Sequence, residues 1–396
     1  MININTDKIT VLHIVNKFLE RTELFIYNYI TSSDRTKPVV LTKERVNIIE
    51  FPFNHVITIP EPKKTSSIRS FQSKVYQKLT GKSFRRHRIE RYIENLQPGL
   101  IHCHFGPYGY EMLPIKKKFN IPLITTFYGC DMSILPRMSI WKKRYSELFA
   151  DGDLFLVEGP YMRKKLIEIG APERKVQIQR IGIHLDKYPK WEPGKEKFTI
   201  LFIARFIEKK GLIYALESVS EIKKQYANIE FRIIGDGKEH EKFIDYVKNN
   251  CMEDYTIFFG MRSHDIVIEE LVRANVLIHP SVIAENGDSE GGAPTILLEA
   301  QAVGIPIVTT RHADIPNILE EGPGIFLTEE RDVNGLVVAL RKIIENNFLV
   351  KREFVKKHHD IKKEVVLLED KYIKLYNERN IKGIESLSLA GNNEKR

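Results

Sequence analysis

Residues 276–310 read VLIHPSVIAENGDSEGGAPTILLEAQAVGIPIVTT. The stretch opens on one apolar run, VLIHP, and closes on another, IPIVTT. Between them stand a polar loop with glycines and an apolar segment that carries one carboxylate. Each run is nearly continuous rather than alternating, which is the pattern of a strand covered on both faces. Two such runs joined through a helix make a parallel pair with a crossover. The helix is expected to begin near Pro294, since proline fits a first helical turn.

The same unit repeats along the chain. Strand-like runs in the first half are 8–15, 38–42, 55–60, 100–105, 122–127, 154–159 and 176–181; in the second half they are 198–204, 229–234, 256–260, 276–280, 305–310 and 324–328. Helical patterns such as GLIYALESVSEIKKQYA (211–227) lie between them. The pattern predicts two doubly wound α/β domains, residues 1–190 and 191–361. The seam falls near YPKWEPGKEK (188–197), where proline, glycine and charge cluster. An amphipathic helix over 362–382 is expected to pack back on the first domain, with 383–396 as a tail.

A chain of 396 residues is too long for one ordinary core. Its 42% hydrophobic and 29% charged content is that of a soluble globular protein. No run of about 18 apolar residues appears, and the first residues lack the pattern of a secretory leader. Cys103, Cys130 and Cys251 have no paired spacing and read as reduced thiols of a cytoplasmic protein. Charge is unevenly spread. Residues 1–190 hold 32 Lys/Arg against 18 Asp/Glu, and the rest hold 29 against 34. The densest basic stretch, residues 63–92, has ten Lys/Arg and one acid. A positive half points to an anionic partner. No nucleic-acid motif appears; residues 63–92 read either as a solvated helical face or as a stretch that docks on anionic lipid, with the protein peripheral at the inner face of the membrane.

Ligands of open α/β sheets sit beyond the carboxyl ends of the strands. In FIARFIEKKG (202–211), Arg205 follows an apolar run and Lys210 precedes a glycine and a helix. Two cations beside a helix N-terminus suit a diphosphate. In the opening stretch, Gly291 and Gly292 let backbone N–H groups approach a ligand, and the helix dipole adds positive charge. Glu299, inside that helix, can accept hydrogen bonds from a ribose diol, and Glu290 from sugar hydroxyls. Together they describe a site for a nucleotide-diphosphate sugar.

At this point the chain resembles a family 4 retaining glycosyltransferase of the GT-B fold, of the type that builds bacterial exopolysaccharide, colanic acid and O-antigen. The resemblance covers nearly the whole chain. It rests on HCHFGPYG (102–109), TTFYGCDMS (125–133), IGIHLDKY (181–188), FIARFIEKKG (202–211), RIIGDGKE (232–239) and HPSVIAENGDSEGGAPTILLEAQAVGIPIVTTRHADIP (279–316). It implies that Arg205 and Lys210 bind the diphosphate, that Glu299 holds the ribose, and that the loop Glu290, Gly291, Gly292, Ala293, Pro294 and Thr295 holds the sugar. It implies a hydroxyl of a glycan or lipid-linked acceptor, retention at the anomeric carbon, and no metal or other cofactor. The alternatives are a sugar-nucleotide epimerase of the same fold and a non-catalytic protein that binds anionic surfaces.

The chain departs from the family pattern in three places. Eight residues separate Glu290 from Glu299 where seven are usual, so either Glu290 or the N–H groups of Gly292 and Ala293 contact the sugar. Tyr128-Gly129, followed by Asp131, stands where His-Gly is common. NKFLERTELFIYNY (16–29) replaces a glycine pair and makes Thr22 and Glu23 candidates on the acceptor side.

Three weaker signals complete the reading. Asp151-Gly152-Asp153 reads as turn chemistry rather than a metal motif. Gly235-Asp236-Gly237 reads as a tight turn near the nucleotide base. His102 and His104 share one strand face, and a zinc site would need further ligands; His104 is a cleft residue or a structural one. Replacing Arg205 or Lys210 by alanine is expected to abolish transfer and leave the fold intact.

Overall fold

The structure is a computed structural model that describes residues 8–61, 84–194, 196–292 and 294–393. Each of the thirteen apolar runs overlaps one strand. The first seven are β1 (Ile9–Phe18), β2 (Thr36–Arg45), β3 (Val56–Thr58), β4 (Leu100–His104), β5 (Leu123–Thr126), β6 (Leu154–Val157) and β7 (Val176–Ile178). They form one parallel sheet in the order β3-β2-β1-β4-β5-β6-β7. The other six are β8 (Phe198–Ile203), β9 (Ile229–Ile234), β10 (Thr256–Gly260), β11 (Val276–His279), β12 (Ile307–Thr310) and β13 (Ile325–Thr328). They form a second parallel sheet, ordered β10-β9-β8-β11-β12-β13.

Both sheets reverse direction once, at β1/β4 and at β8/β11. A doubly wound sheet opens a crevice at that switch point. Residues of the opening stretch and of 202–211 follow β11 and β8, so the topology brings both to the crevice of the second sheet.

The apolar runs are continuous because both faces of each sheet are covered. On β1, Leu12 and Ile14 join the core with Ile101, Cys103 and Phe155. Their neighbour Val11 faces the other way, into a cluster with Leu100, Ile124 and Leu156. That second face is covered by the last helix, Ile361–Asn393, through Val365, Leu368 and Tyr372. The helix takes in most of the segment read as a tail. It is also tied to β2: the Glu369 carboxylate accepts from the Arg35 and Thr36 amides at 2.8 and 2.9 Å.

Of the basic stretch 63–92, residues 63–83 lie outside the described residues. The described part begins the helix Phe84–Leu96, where Arg85 pairs with Glu111 and Arg86 with Glu90. No helix among the described residues is long and apolar enough to cross a membrane. All three cysteines are free.

Candidate active site

A cavity of about 480 Å³ lies between the two sheets, lined from both sides. That is the size of a small-molecule site. From the second domain come Arg205, Lys210, Gly235, Glu290, Gly291, Gly292, Pro294, Thr295 and Glu299. From the first come Thr22, Glu23, Tyr128 and Gly129. Gly237 lines an adjoining cavity together with Arg205, Thr22 and Glu23. Ala293 lies outside the described residues. Thirteen of the residues singled out from the sequence therefore meet in one cavity, although they are scattered over nearly 280 positions.

The loop after β8 is shaped by Gly211. Its φ is +70°, and a Cβ there would overlap the Pro280 carbonyl. Only glycine combines that dihedral with that approach. The turn presents three cations differently. Arg205 is exposed at the mouth. Lys209 is buried, donating to Asp288 at 3.1 Å and to the Ser289 carbonyl at 2.8 Å. Lys210 is paired with Glu290 at 2.7 Å.

Glu290 is not free to await a sugar. Its carboxylate holds Lys210 and accepts from Ser281 Oγ, and its amide donates to His312 Nε2 at 3.0 Å. Burial alone would push this carboxyl up. The charges of Lys210 and Lys209 outweigh it and hold the group down to about 2. Lys210 is pulled below its ordinary range by burial, with Glu290 opposing. The pair is charged at neutral pH, and a diphosphate arriving at Lys210 competes with Glu290 for it.

Glu299 stands in the second turn of the helix Thr295–Val303, which begins as the sequence predicts. His264, at the start of the helix His264–Arg273, reaches it at 3.1 Å. Burial works against a charged imidazole there, but the hydrogen bond and charge of Glu299 win and raise the pKa. His264 therefore fixes the carboxylate from behind.

The two glycines of the opening stretch have a reason the sequence did not reveal. A Cβ on Gly291 would overlap the Tyr128 carbonyl, and one on Gly292 the Glu158 carboxylate. Both neighbours belong to the first domain. The loop is glycine-rich because the domains touch there. Nearby, Ser133 Oγ donates to Asp288 at 3.0 Å and Arg137 to the Asn286 carbonyl at 3.1 Å. Asp314, which follows β12, accepts from the Tyr161 and Met162 amides at 2.9 and 3.1 Å. It thereby caps a helix of the other domain, Pro160–Glu168.

Two acceptor-side candidates do not line the cavity. Asp131 is 1% exposed, and its carboxylate accepts from the Gly106, Tyr128 and Gly129 amides. It shapes the loop that presents Tyr128. His104 is buried beneath Tyr128, whose hydroxyl meets its Nδ1 at 2.7 Å. Its other nitrogen meets His13 Nδ1 at 3.1 Å. His13, His102 and His104 cluster within 4.8 Å, and burial lowers the pKa of all three. His102 is engaged by Tyr372 and Thr126 at 2.6 and 2.7 Å. The cluster is a buried hydrogen-bonded core of neutral rings. Asp151 and Asp153 are each taken by a lysine, Lys117 at 2.6 Å and Lys116 at 3.0 Å. Residues 151–153 join the helix Ser139–Asp151 to β6, the helix-to-strand turn read from the sequence.

Glu23 sits at the junction of the two cavities. Burial pushes its carboxyl up to about 7; Glu20 adds to the shift, and Arg205 and Lys17 oppose it. Sequence reasoning missed Lys209, Glu158, His264 and His279, which also line the cavity. Glu158 directly follows β6 and Lys209 sits beside Lys210, and those positions were the available signal; His264, at a helix start, and His279, at the end of β11, carried none.

Two parallel doubly wound domains facing across a cleft lined from both sides are the GT-B architecture. The profile described as "Glycosyl transferases group 1" matches residues 186–365, and that described as "Glycosyltransferase Family 4" matches residues 55–187. The putative colanic acid biosynthesis glycosyltransferase WcaL of Escherichia coli K12 is 31% identical over 274 residues, 67% of each chain. The amylovoran biosynthesis glycosyltransferase AmsK of Erwinia amylovora is 28% identical over 72% of this chain and 71% of its own. The chain belongs to glycosyltransferase family 4. Among solved structures, Anabaena Alr3699/HepE in complex with UDP and glucose superposes with a TM-score of 0.76 at 14% identity, over 92% of this chain and all of that one. A sucrose-phosphate synthase from Thermosynechococcus elongatus does so at 0.73 and 15%, over 94% of this chain and all of that one.

Proposed function

We propose that the protein transfers a sugar from a nucleotide-diphosphate sugar to a hydroxyl of a glycan or lipid-linked acceptor in cell-surface polysaccharide synthesis, with retention and without a metal. One observation carries the reading. Arg205, exposed at the mouth of one cavity, and Lys210 share it with Glu290, Gly291, Gly292, Pro294, Thr295 and Glu299, and the facing wall comes from the other domain. Cations at one end suit a leaving diphosphate, and carboxylates suit hydroxyls. The relatives WcaL and AmsK are described as a putative colanic acid biosynthesis glycosyltransferase and an amylovoran biosynthesis glycosyltransferase, which supports the same pathway class here.

In this reading Arg205, Lys210 and the N-terminus of the helix Thr295–Val303 stabilise charge that builds on the leaving diphosphate. Lys210 exchanges Glu290 for phosphate oxygen as the donor enters. That exchange frees Glu290, or the loop amides beside it, for the sugar. Retention follows from the family resemblance, with the diphosphate taking the acceptor's proton on the same face. Thr22, Glu23, Tyr128 and Gly129 receive the acceptor. The basic stretch 63–92 holds the protein at an anionic inner membrane surface.

The test is a calorimetric screen of UDP, GDP, ADP, dTDP and their common sugar conjugates on the wild type and on Arg205→Ala. Selective binding that the variant loses supports the donor site and names the base. Binding of no nucleotide overturns it. Co-sedimentation with phosphatidylglycerol vesicles against phosphatidylcholine vesicles tests the membrane contact, and equal recovery with both overturns that part.

A further inference from the structure

Every buried polar side chain of the cavity has a partner among the described residues except one. Lys209 has Asp288, Lys210 has Glu290, and Glu299 has His264. His279, the last residue of β11, is 1% exposed, and neither of its ring nitrogens completes a hydrogen bond. One leans toward the Ile203 carbonyl without reaching bonding geometry. The ring is held flat against Phe202, centroids 5.7 Å apart and 12° from parallel. Its backbone carbonyl is fixed by Thr309 Oγ1 at 2.7 Å. It therefore cannot easily turn to find a partner within the protein.

Unpaired buried polar groups are rare and cost stability, so a fixed one lining a ligand cavity calls for a ligand atom. Burial lowers the imidazole pKa to about 3; the charge of Lys210 adds to this and that of Glu290 opposes it. The ring is neutral through the physiological range and carries one N–H and one lone pair. Its charged neighbours Lys210 and Glu290 place it at the diphosphate–sugar end, away from Glu299.

We propose that His279 is a neutral hydrogen-bond donor to the bound nucleotide sugar, giving its ring N–H to an oxygen at the diphosphate–sugar junction. The inference rests on the donor-site reading above and assigns it a residue that the sequence did not single out. The role is positioning and binding, not proton transfer, since a ring titrating this low does not take up a second proton at neutral pH.

His279→Phe keeps the stack on Phe202 and removes both nitrogens. His279→Asn keeps an amide donor on a shorter stem. The melting temperature without ligand and the affinity for UDP and UDP-glucose, or for whichever pair the screen selects, are measured for all three proteins at pH 6 and pH 8. The Phe variant is expected to melt at or above the wild type and to bind the nucleotide sugar about tenfold or more weakly, by the same factor at both pH values. The Asn variant falls between. Equal losses for UDP and UDP-glucose place the accepting oxygen on the diphosphate; a loss for UDP-glucose alone places it on the sugar. Both results support the inference. A Phe variant with wild-type affinity overturns it, whether the variant is more stable or less. Should that variant fail to fold, wild-type affinity in the Asn variant at both pH values together with a lowered melting temperature overturns it too, because that is the signature of a structural histidine. A wild type that binds no nucleotide overturns the donor-site reading itself, and this inference with it.

Discussion

Lys210→Met removes an ammonium while keeping most of the side-chain stem. Glu290 would then be left buried beside Ser281 and His312 with its ion partner gone. In the intact protein its carboxyl is held down to about 2 from an ordinary 4.5. A gap of that size corresponds to about 3 kcal/mol of folding stability at neutral pH. Breaking one end of a buried pair typically costs about 3–5 kcal/mol, and Lys209 remains close enough to keep the loss near the lower figure. The sign with pH follows from the lowered carboxyl. Its contribution is complete above about 4.5 and fades as pH falls through that value toward 2. Urea unfolding of the wild type, Lys210→Met, Glu290→Gln and the double variant at pH 7 and pH 3 reads this directly. The single Lys210 variant should lose about 3 kcal/mol at pH 7 and much less at pH 3, and the double variant should lose less than the two singles summed. A Lys210→Met protein with the wild-type midpoint at pH 7, or strictly additive losses, would refute the reasoning. The result also separates the two cations that the sequence treats alike. Alanine at Lys210, expected from the sequence to leave the fold intact, should on this reasoning destabilise it.

Arg205 is exposed and lines both cavities, so Arg205→Ala should alter stability by about 0.5 kcal/mol or less while transfer falls about a hundredfold; a melting curve and a nucleotide-release assay check both halves, and a wild-type rate would dismiss its role. Gly291→Ala meets a backbone carbonyl of the first domain, whereas Gly292→Ala meets the movable Glu158 carboxylate. The first substitution should therefore reduce transfer far more than the second, and the reverse order in steady-state rates would contradict the packing. Glu23→Gln should leave stability unchanged at pH 4 and raise it at pH 8. The wild-type carboxyl is pushed up to about 7 by burial and Glu20 against Arg205 and Lys17, with Tyr108 also facing it. Its folded form thus favours the proton, and stability is lost as pH rises from about 4.5 to 7; a variant that melts like the wild type at pH 8 would show that Glu23 is solvated after all.

The fold was legible because parallel strands are written locally. Val11 and Leu12 face opposite sides of the first sheet and are both buried, so the run must be apolar throughout, and a continuous run can be read without its neighbours. The switch points follow from strand order, and they explain why Arg205, Lys210 and Glu299 converge. The misreadings share a cause as well. Asp131 is an acid a few residues past β5, which is the position of a ligand-binding acid. Nothing local shows that three amides of its own loop and of the helix beyond β4 fold back onto it. His104 stands open in the sequence between a cleft and a structural role, and its depth makes it structural. Its depth depends on His13, about 90 residues earlier, and on Tyr128, which lies over it.

Gly291 and Gly292 raise the same issue at the level of domains. Their lack of side chains reads as room for a ligand, and in the structure it is room for Tyr128 and Glu158 across the cleft. The two uses are compatible because both demand a bare backbone at the point where the halves meet around the donor. Contacts on either side of that point are polar. Ser133 reaches Asp288, Arg137 reaches Asn286, and Asp314 caps Pro160–Glu168. Hydrogen bonds of this kind each contribute only about 1 kcal/mol net, since water replaces them on opening. Closure at this loop, held by several such bonds, is an equilibrium that a bound ligand can shift. A nucleotide sugar bridging Lys210 and Glu299 on one wall and Tyr128 and Glu23 on the other would add to the closed side alone. Water would then be excluded only when the donor is in place, and the donor would be protected from hydrolysis until an acceptor hydroxyl arrives.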